Sequence, residues 1–163
     1  MGLPCRGDAI ERKSVSLVSD SDRARVMEVW EASVRATHHF LSEQDLQTLI
    51  PLAHHELATI SPIHCLRDEE GSVYAFMAVV DRKIDALFVD PAHRALGAGR
   101  RLVQYAIEEL DARAVDVNEQ NPAAVGFYEH VGFTVVARSG TDAQGLPFPI
   151  LHMELVTRPR SSP

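Results

Sequence analysis

Ile84-Asp-Ala-Leu-Phe-Val-Asp-Pro-Ala-His-Arg-Ala-Leu-Gly-Ala-Gly-Arg-Arg-Leu102 is the stretch on which the fold of this chain turns. Ile84 to Val89 is apolar apart from Asp85 and reads as a strand that ends at Pro91. From Gly97 the period changes, and Leu102, Val103, Ala106, Ile107 and Leu110 fall on one face of a helix. A strand that passes through a glycine turn into a helix leaves the first helical N–H groups unpaired at the positive end, which suits an anion. Gly97 and Gly99 remove side chains where the backbone must approach a ligand, and Arg94, Arg100 and Arg101 add charge. One exposed helix-end contact is worth only about 0.3–1 kcal/mol, so a firmly held pyrophosphate needs several N–H groups together with the arginines.

Outward from this segment the pattern is regular. Ile63–Arg67, Val73–Val80 and Ile84–Val89 read as three strands of an antiparallel meander, separated by Asp68-Glu-Glu-Gly71 and Asp81-Arg-Lys83. Val15 to Val18 is a further short strand, and Ser19-x-x-Asp22 has the spacing that opens a helix carrying Val26, Trp30 and Val34 inward. Ser42-x-x-Asp45 starts another, in which Pro51 predicts two short helices meeting at a bend. Beyond Leu110 come a strand at Ala114–Val117, a helix capped by Asn121-Pro122 and running through His130, and strands at Phe133–Ala137 and Pro149–Val156. The expectation is one α+β domain over residues 14–156, with flexible ends at 1–13 and 157–163.

Composition narrows the partners. With 163 residues, 45% of them hydrophobic, the chain can fill one sizeable core, and a formal net charge of −7 argues against nucleic acid as a partner. Cys5 and Cys65 are too few for a disulfide framework and favour a reducing compartment. No apolar run approaches the roughly 18 residues that cross a bilayer, and Arg6 occupies the position where a myristoylation signal needs Ser or Thr. These features predict a soluble, cytoplasmic protein with no membrane partner. His38-His39 and His54-His55 suggest a metal, but neighbouring residues on a helix diverge and no Cys or Glu completes a zinc spacing, so no metal is expected.

Three phosphate-binding patterns compete for the glycine turn. A Walker loop needs Gly-Lys and then Ser or Thr, whereas Gly99 is followed by Arg100 and Arg101; a dinucleotide fingerprint needs glycine where Leu102 stands. The third pattern is met. Arg94-x-x-Gly97-x-Gly99 after Leu87-Phe88-Val89 resembles the acetyl-CoA loop of the GNAT acetyltransferases, and Asn121-Pro-Ala-Ala-Val-Gly-Phe-Tyr-Glu-His-Val-Gly-Phe133 resembles that family's Asn-x-x-Ala-x-x-Phe-Tyr-x-x-x-Gly-Phe segment. Many members carry glycine where Ala95 stands, a small departure.

The resemblance covers residues 14 to 156 and implies the GNAT fold: a mixed, mostly antiparallel sheet flanked by helices in three layers, with strands four and five splayed apart and a bulge often opening the first of them. It implies acetyl-CoA as cosubstrate, an amine acceptor and N-acetyltransferase activity, with the chain a monomer or homodimer. Leu87, Phe88 and Val89 would hold the pantetheine arm, and Arg94, Ala95, Leu96, Gly97, Ala98, Gly99 and Arg100 would wrap the pyrophosphate, with Asn121 alongside.

The chemistry sets its own demands. A primary amine with pKa near 10.4 is neutral in only about one molecule in a few thousand at pH 7, so a base or a water wire must take its proton. The departing thiolate, whose conjugate thiol ordinarily titrates at about 8.5, can be protonated by a tyrosine near pKa 10. Tyr128 resembles the family's general acid; beside Phe127 it also reads as a packed aromatic. Asp85 is the candidate base, with Glu119 a second carboxylate, while His38 and His39 are candidates for shaping the acceptor site together with Phe40 and Trp30. Asp85 reads equally as a strand-end charge, the histidines as imidazolium closing a helix, and Trp30 as core. Ser139–Phe148 is a lid or an ordinary hairpin loop. Two further functions stay open: a regulatory module that binds acyl-CoA without turnover, and an acetyltransferase whose acceptor is a protein amine.

Overall fold

Val26, Met27, Val29, Trp30, Ser33 and Val34 recur at spacings of three and four, and in the computed structural model of the chain they form the buried face of helix α1 (Arg23–Thr37). The structure describes residues 15–93 and 96–156. The chain divides into two compact units, Met1–Ala112 and Arg113–Pro163. The predicted flexible ends, 1–13 and 157–163, lie outside the described residues, as do Arg94 and Ala95.

In the first unit, strands β1 (Val15–Leu17), β2 (His64–Arg67), β3 (Val73–Val80) and β4 (Lys83–Val89) pair in that order, each antiparallel to the next. β3 is buried without a break from Val73 to Ala78, as expected of a strand covered on both faces: α1 lies against β3 and β4, and so does helix α3 (Ala98–Glu109). Cys65, Phe76 and Phe88 stand side by side across β2, β3 and β4, and they join α1 and helix α2 (Glu43–Thr59) in one core. The register slips between Ala78 and Val79, which pair with Ala86 and Ile84, so Asp85 is the extra residue of a bulge in β4.

Two local expectations need correction. α2 runs unbroken from Glu43 to Thr59 through Pro51, where two short helices were predicted. Proline removes one N–H but need not end a helix that is held on both sides. Here the Ser42 hydroxyl accepts from Asp45 N at 3.0 Å and the Asp45 carboxylate accepts from Ser42 N at 2.9 Å, while Leu46, Ala53 and Leu57 are buried before and after the proline. Arg23 secures the far end by donating to the carbonyls of Leu57 and Ile60. The second correction concerns Ser19, which precedes a single 3-10 turn (Asp20–Asp22), not α1 itself. The Asp22 carboxylate accepts from Ser19 N at 2.8 Å and pairs with Arg67 at 2.7 Å. The Arg67 guanidinium and the Ser19 N–H hold the Asp22 carboxyl well below the usual carboxylate range.

The second unit contains β5 (Ala114–Asn118), helix α4 (Pro122–Val131), β6 (Phe133–Ser139) and β7 (Ile150–Leu155). β7 lies between β5 and β6 and is antiparallel to both. Val115, Val117, Tyr128, Phe133 and Met153 are its buried residues. Gly132 ends α4 at φ 118°, a conformation that only glycine adopts readily. The segment between β6 and β7 is closed on Asp142, whose carboxylate accepts from Gln144 N at 3.0 Å and Leu146 N at 2.9 Å.

Candidate active site

Gly97 sits at φ 74°, and a Cβ added there would meet nothing within 4 Å. The glycine is therefore required by its left-handed backbone, not by crowding from neighbouring protein atoms. Gly99 lies inside the first turn of α3 and not in the turn before it. The first intrahelical bond is Arg101 N to Gly97 O at 3.0 Å, so the N–H groups of Ala98, Gly99 and Arg100 have no acceptor within the helix. Leu96, Gly97, Arg100, Arg101 and Gln104 line an open hollow of about 460 Å³ at this helix start.

Arg101 is braced from behind. Its Nη2 donates to the Tyr74 hydroxyl at 2.7 Å, and the Tyr74 ring stacks on His93 at 4.5 Å and 18°. Arg101 Nε and His93 Nδ1 are buried with no hydrogen bond among the described residues. A buried guanidinium N–H without a partner fits a site that takes an anionic group. Gln104 was not singled out from sequence, although its place four residues after Arg100 on a helix was the signal available. Asp90, just after β4, binds Arg25 at 2.6 Å and accepts from Ala92 N at 3.0 Å. Burial works to raise its carboxyl, but these two donors outweigh it and hold the group low.

Along β4, Leu87, Phe88 and Val89 pair with Met77, Phe76 and Ala75. The Phe88 ring is half-buried and packs against the core, 5.6 Å from Phe76 and 6.5 Å edge-on from Trp30. Trp30 belongs to the core. At the bulge Asp85 lies near Glu56 of α2, whose carboxyl is raised by burial and then by Asp85. Sequence reasoning missed Glu56, because nothing in a chain separation of that size announces a pair.

His38 closes α1, its N–H bonded to Val34 O at 2.8 Å. The Thr37 hydroxyl donates to Ser33 O at 2.7 Å, so at 2.8 Å it accepts from His38 Nδ1–H, which leaves the lone pair on Nε2. Burial, and then His39, lowers the His38 pKa, so the ring is neutral at pH 7 and the imidazolium reading is corrected. Phe40 lies 5.3 Å from His38, whereas His39 is exposed.

In the second unit Tyr128 is 7% exposed and packed edge-on against Phe127 at 5.0 Å and Phe133 at 5.7 Å. Burial raises its phenol far above the ordinary value, so the hydroxyl holds its proton throughout the physiological range. The Asn121 side-chain oxygen accepts from Ala124 N at 3.3 Å and caps α4. Glu119 is clamped by Arg138 through two contacts, which lower its carboxyl and make it a poorer base than an unclamped one.

The acetyltransferase (GNAT) domain matches residues 26–156. The chain belongs to the GNAT acetyltransferase family. Its relatives within that family include the peptidyl-lysine N-acetyltransferase YjaB of Escherichia coli (strain K12), 40% identical over 78% of this chain and 86% of the relative. The solution structure of apo-form YjaB from Escherichia coli superposes with a TM-score of 0.82 at 36% identity, over 89% of this chain and 98% of that one. The Salmonella typhimurium putative acetyltransferase yncA, solved with its cofactor acetyl-CoA, has a TM-score of 0.59 at 20% identity, over 91% of this chain and 96% of that one.

The protein is thus an acetyltransferase with the mixed, mostly antiparallel GNAT fold, as the two motifs implied. Among its described helices none is long and apolar enough to cross a membrane.

Proposed function

We propose that this GNAT enzyme transfers the acetyl group of acetyl-CoA to the primary amine of a lysine side chain on a protein, by direct attack in a ternary complex in the cytoplasm. The carrying observation is the 40% identity to a peptidyl-lysine N-acetyltransferase, spread over 86% of that relative's length. In this reading residues 14–156 are the catalytic domain. Acetyl-CoA supplies the activated acyl carbon and a thiol leaving group. The N–H groups of Ala98, Gly99 and Arg100, with Arg94, Arg100, Arg101 and Gln104, bind its pyrophosphate; three helix-end donors and an Arg101 Nε with no hydrogen bond among the described residues suit that charge. Backbone groups of Leu87, Phe88 and Val89 align the pantetheine arm, and Asn121 borders it.

Asp85 takes the amine proton directly or through water, with Glu56 of α2 nearby. Tyr128 protonates the leaving thiolate; burial keeps the phenol protonated before transfer and also makes it a weaker acid than an exposed tyrosine. His38 and His39 border the acceptor. Much of the acceleration comes from holding amine and thioester together.

The test is thiol release from acetyl-CoA with a lysine peptide whose α-amine is blocked, read beside mass spectrometry of the peptide. Acetylation of the lysine, lost when lysine is replaced by arginine, is the expected result. Acetyl-CoA binding without turnover on any protein or small amine would leave a regulatory module instead.

A further inference from the structure

On β5, β6 and β7 three side chains make a relay to which the reaction proposed above assigns no role. Asp116 and His152 are direct cross-strand neighbours, and Asp116 Oδ1 lies 2.7 Å from His152 Nδ1. His152 Nε2 in turn lies 2.7 Å from Ser139 Oγ. The β6 register brings Ser139 there. It slips between Val135 and Ala137, so that Ala137 faces His152 and Ser139 faces Ile150. Without that extra residue Ser139 would point to the opposite face, because a shift of one residue inverts a strand. Arg138, one residue earlier, does point away and binds Glu119.

An ionised carboxylate only accepts, so Asp116 fixes the proton on Nδ1, and the lone pair on Nε2 accepts from the Ser139 hydroxyl. This is the order of groups that activates a serine: nucleophile, base, and a carboxylate that orients the base. The His152 and Asp116 side chains are 36% and 33% exposed, so substrate and water can reach them. A pair so exposed adds little to stability, and its main consequence is chemical.

We propose that Ser139, His152 and Asp116 form a second catalytic site, which accepts an acyl group from activated esters, either aryl esters or thioesters, and passes it to water. Ser139 Oγ bonds to the acyl carbon as the C–O(aryl) or C–S bond breaks. The serine proton moves to His152 Nε2 and from there to the departing phenolate or thiolate. Water then attacks the serine ester, gives a proton through Nε2 back to Ser139 Oγ, and a carboxylic acid leaves. The net change is hydrolysis, with no redox partner. Activated esters are the class because their leaving groups are weak bases that can break away before the proton arrives, whereas an amide's nitrogen must be protonated first.

The test uses p-nitrophenyl acetate with the full chain, following nitrophenol release and mapping the acetyl group by peptide mass spectrometry. Acetyl is expected on Ser139, with release falling about a hundredfold in Ser139→Ala and His152→Gln and less in Asp116→Asn. Near-UV circular dichroism checks that each variant is folded, and mapping on the wild type needs no variant at all. Wild-type protein without acetyl on Ser139, or Ser139→Ala that retains the rate because the imidazole itself is acetylated, overturns the proposal. Labelling of Ser139 by a fluorophosphonate, abolished in His152→Gln, supports it independently.

Discussion

Helix α4 begins under its own control: Asn121 Oδ1 accepts from Ala124 N and Pro122 removes a donor that would otherwise need a partner. Helix α3 begins on Gly97, which has no side chain to offer, and Arg100 and Arg101 follow in its first turn. The capped start is a structural joint that fixes α4 and hence Tyr128. The bare start is a reserve of N–H groups that something outside the helix must satisfy. On the proposed reading the contrast separates a residue that does chemistry from a backbone that binds, and each can be broken separately.

The largest effect is expected at Tyr128. Tyr128→Phe lowers kcat for acetyl transfer by about a hundredfold and leaves KM for acetyl-CoA within about twofold, as steady-state thiol release will show. An equal loss in both would mean that α4 serves binding and the contrast fails. Arg100→Ala, at the bare start, raises KM for acetyl-CoA about tenfold with kcat retained, the loss of one charge-assisted contact.

A third effect belongs to the first unit. Burial lowers the pKa of His38 and of His64 from 6.5, and His64 is 8% exposed with an unpaired Nδ1. The unfolded chain takes up these protons near pH 6.5 while the folded one resists. Stability is therefore full above that pH and lost as pH falls below it, by up to about 1.4 kcal/mol per pH unit for each ring. Urea unfolding between pH 7.5 and 5.5 measures the slope, and His64→Gln should flatten it. Smallest is Asn121→Ala, which costs about 1 kcal/mol of stability through the lost cap. A simultaneous rise in the acetyl-CoA dissociation constant would assign the same side chain to the ligand as well.

What could be read in advance was whatever lies close together along the chain. The turn at Gly97, the cap at Asn121 and the short connections of the β2–β4 meander are local, and the structure has them where spacing put them. The continuity of α2 through Pro51 was hidden, because burial of Leu46, Ala53 and Leu57 outweighs one missing N–H. The charge state of His38 was hidden too: helix-dipole reasoning favours imidazolium, and burial reverses it. Glu56 beside Asp85, and Ser139 beside His152, depend on bulges in β4 and β6, which no alternation pattern reveals.

Cys65 is fully buried on β2, its sulfur 3.5 Å from Ser16 Oγ. A thiol so placed reacts with an alkylating reagent only when the sheet opens, so its labelling rate is a clock for rare excursions of the first unit. Run with and without acetyl-CoA, that clock would time how far a ligand at one end of α3 slows the breathing of β2, a strand to which the proposed site assigns no contact.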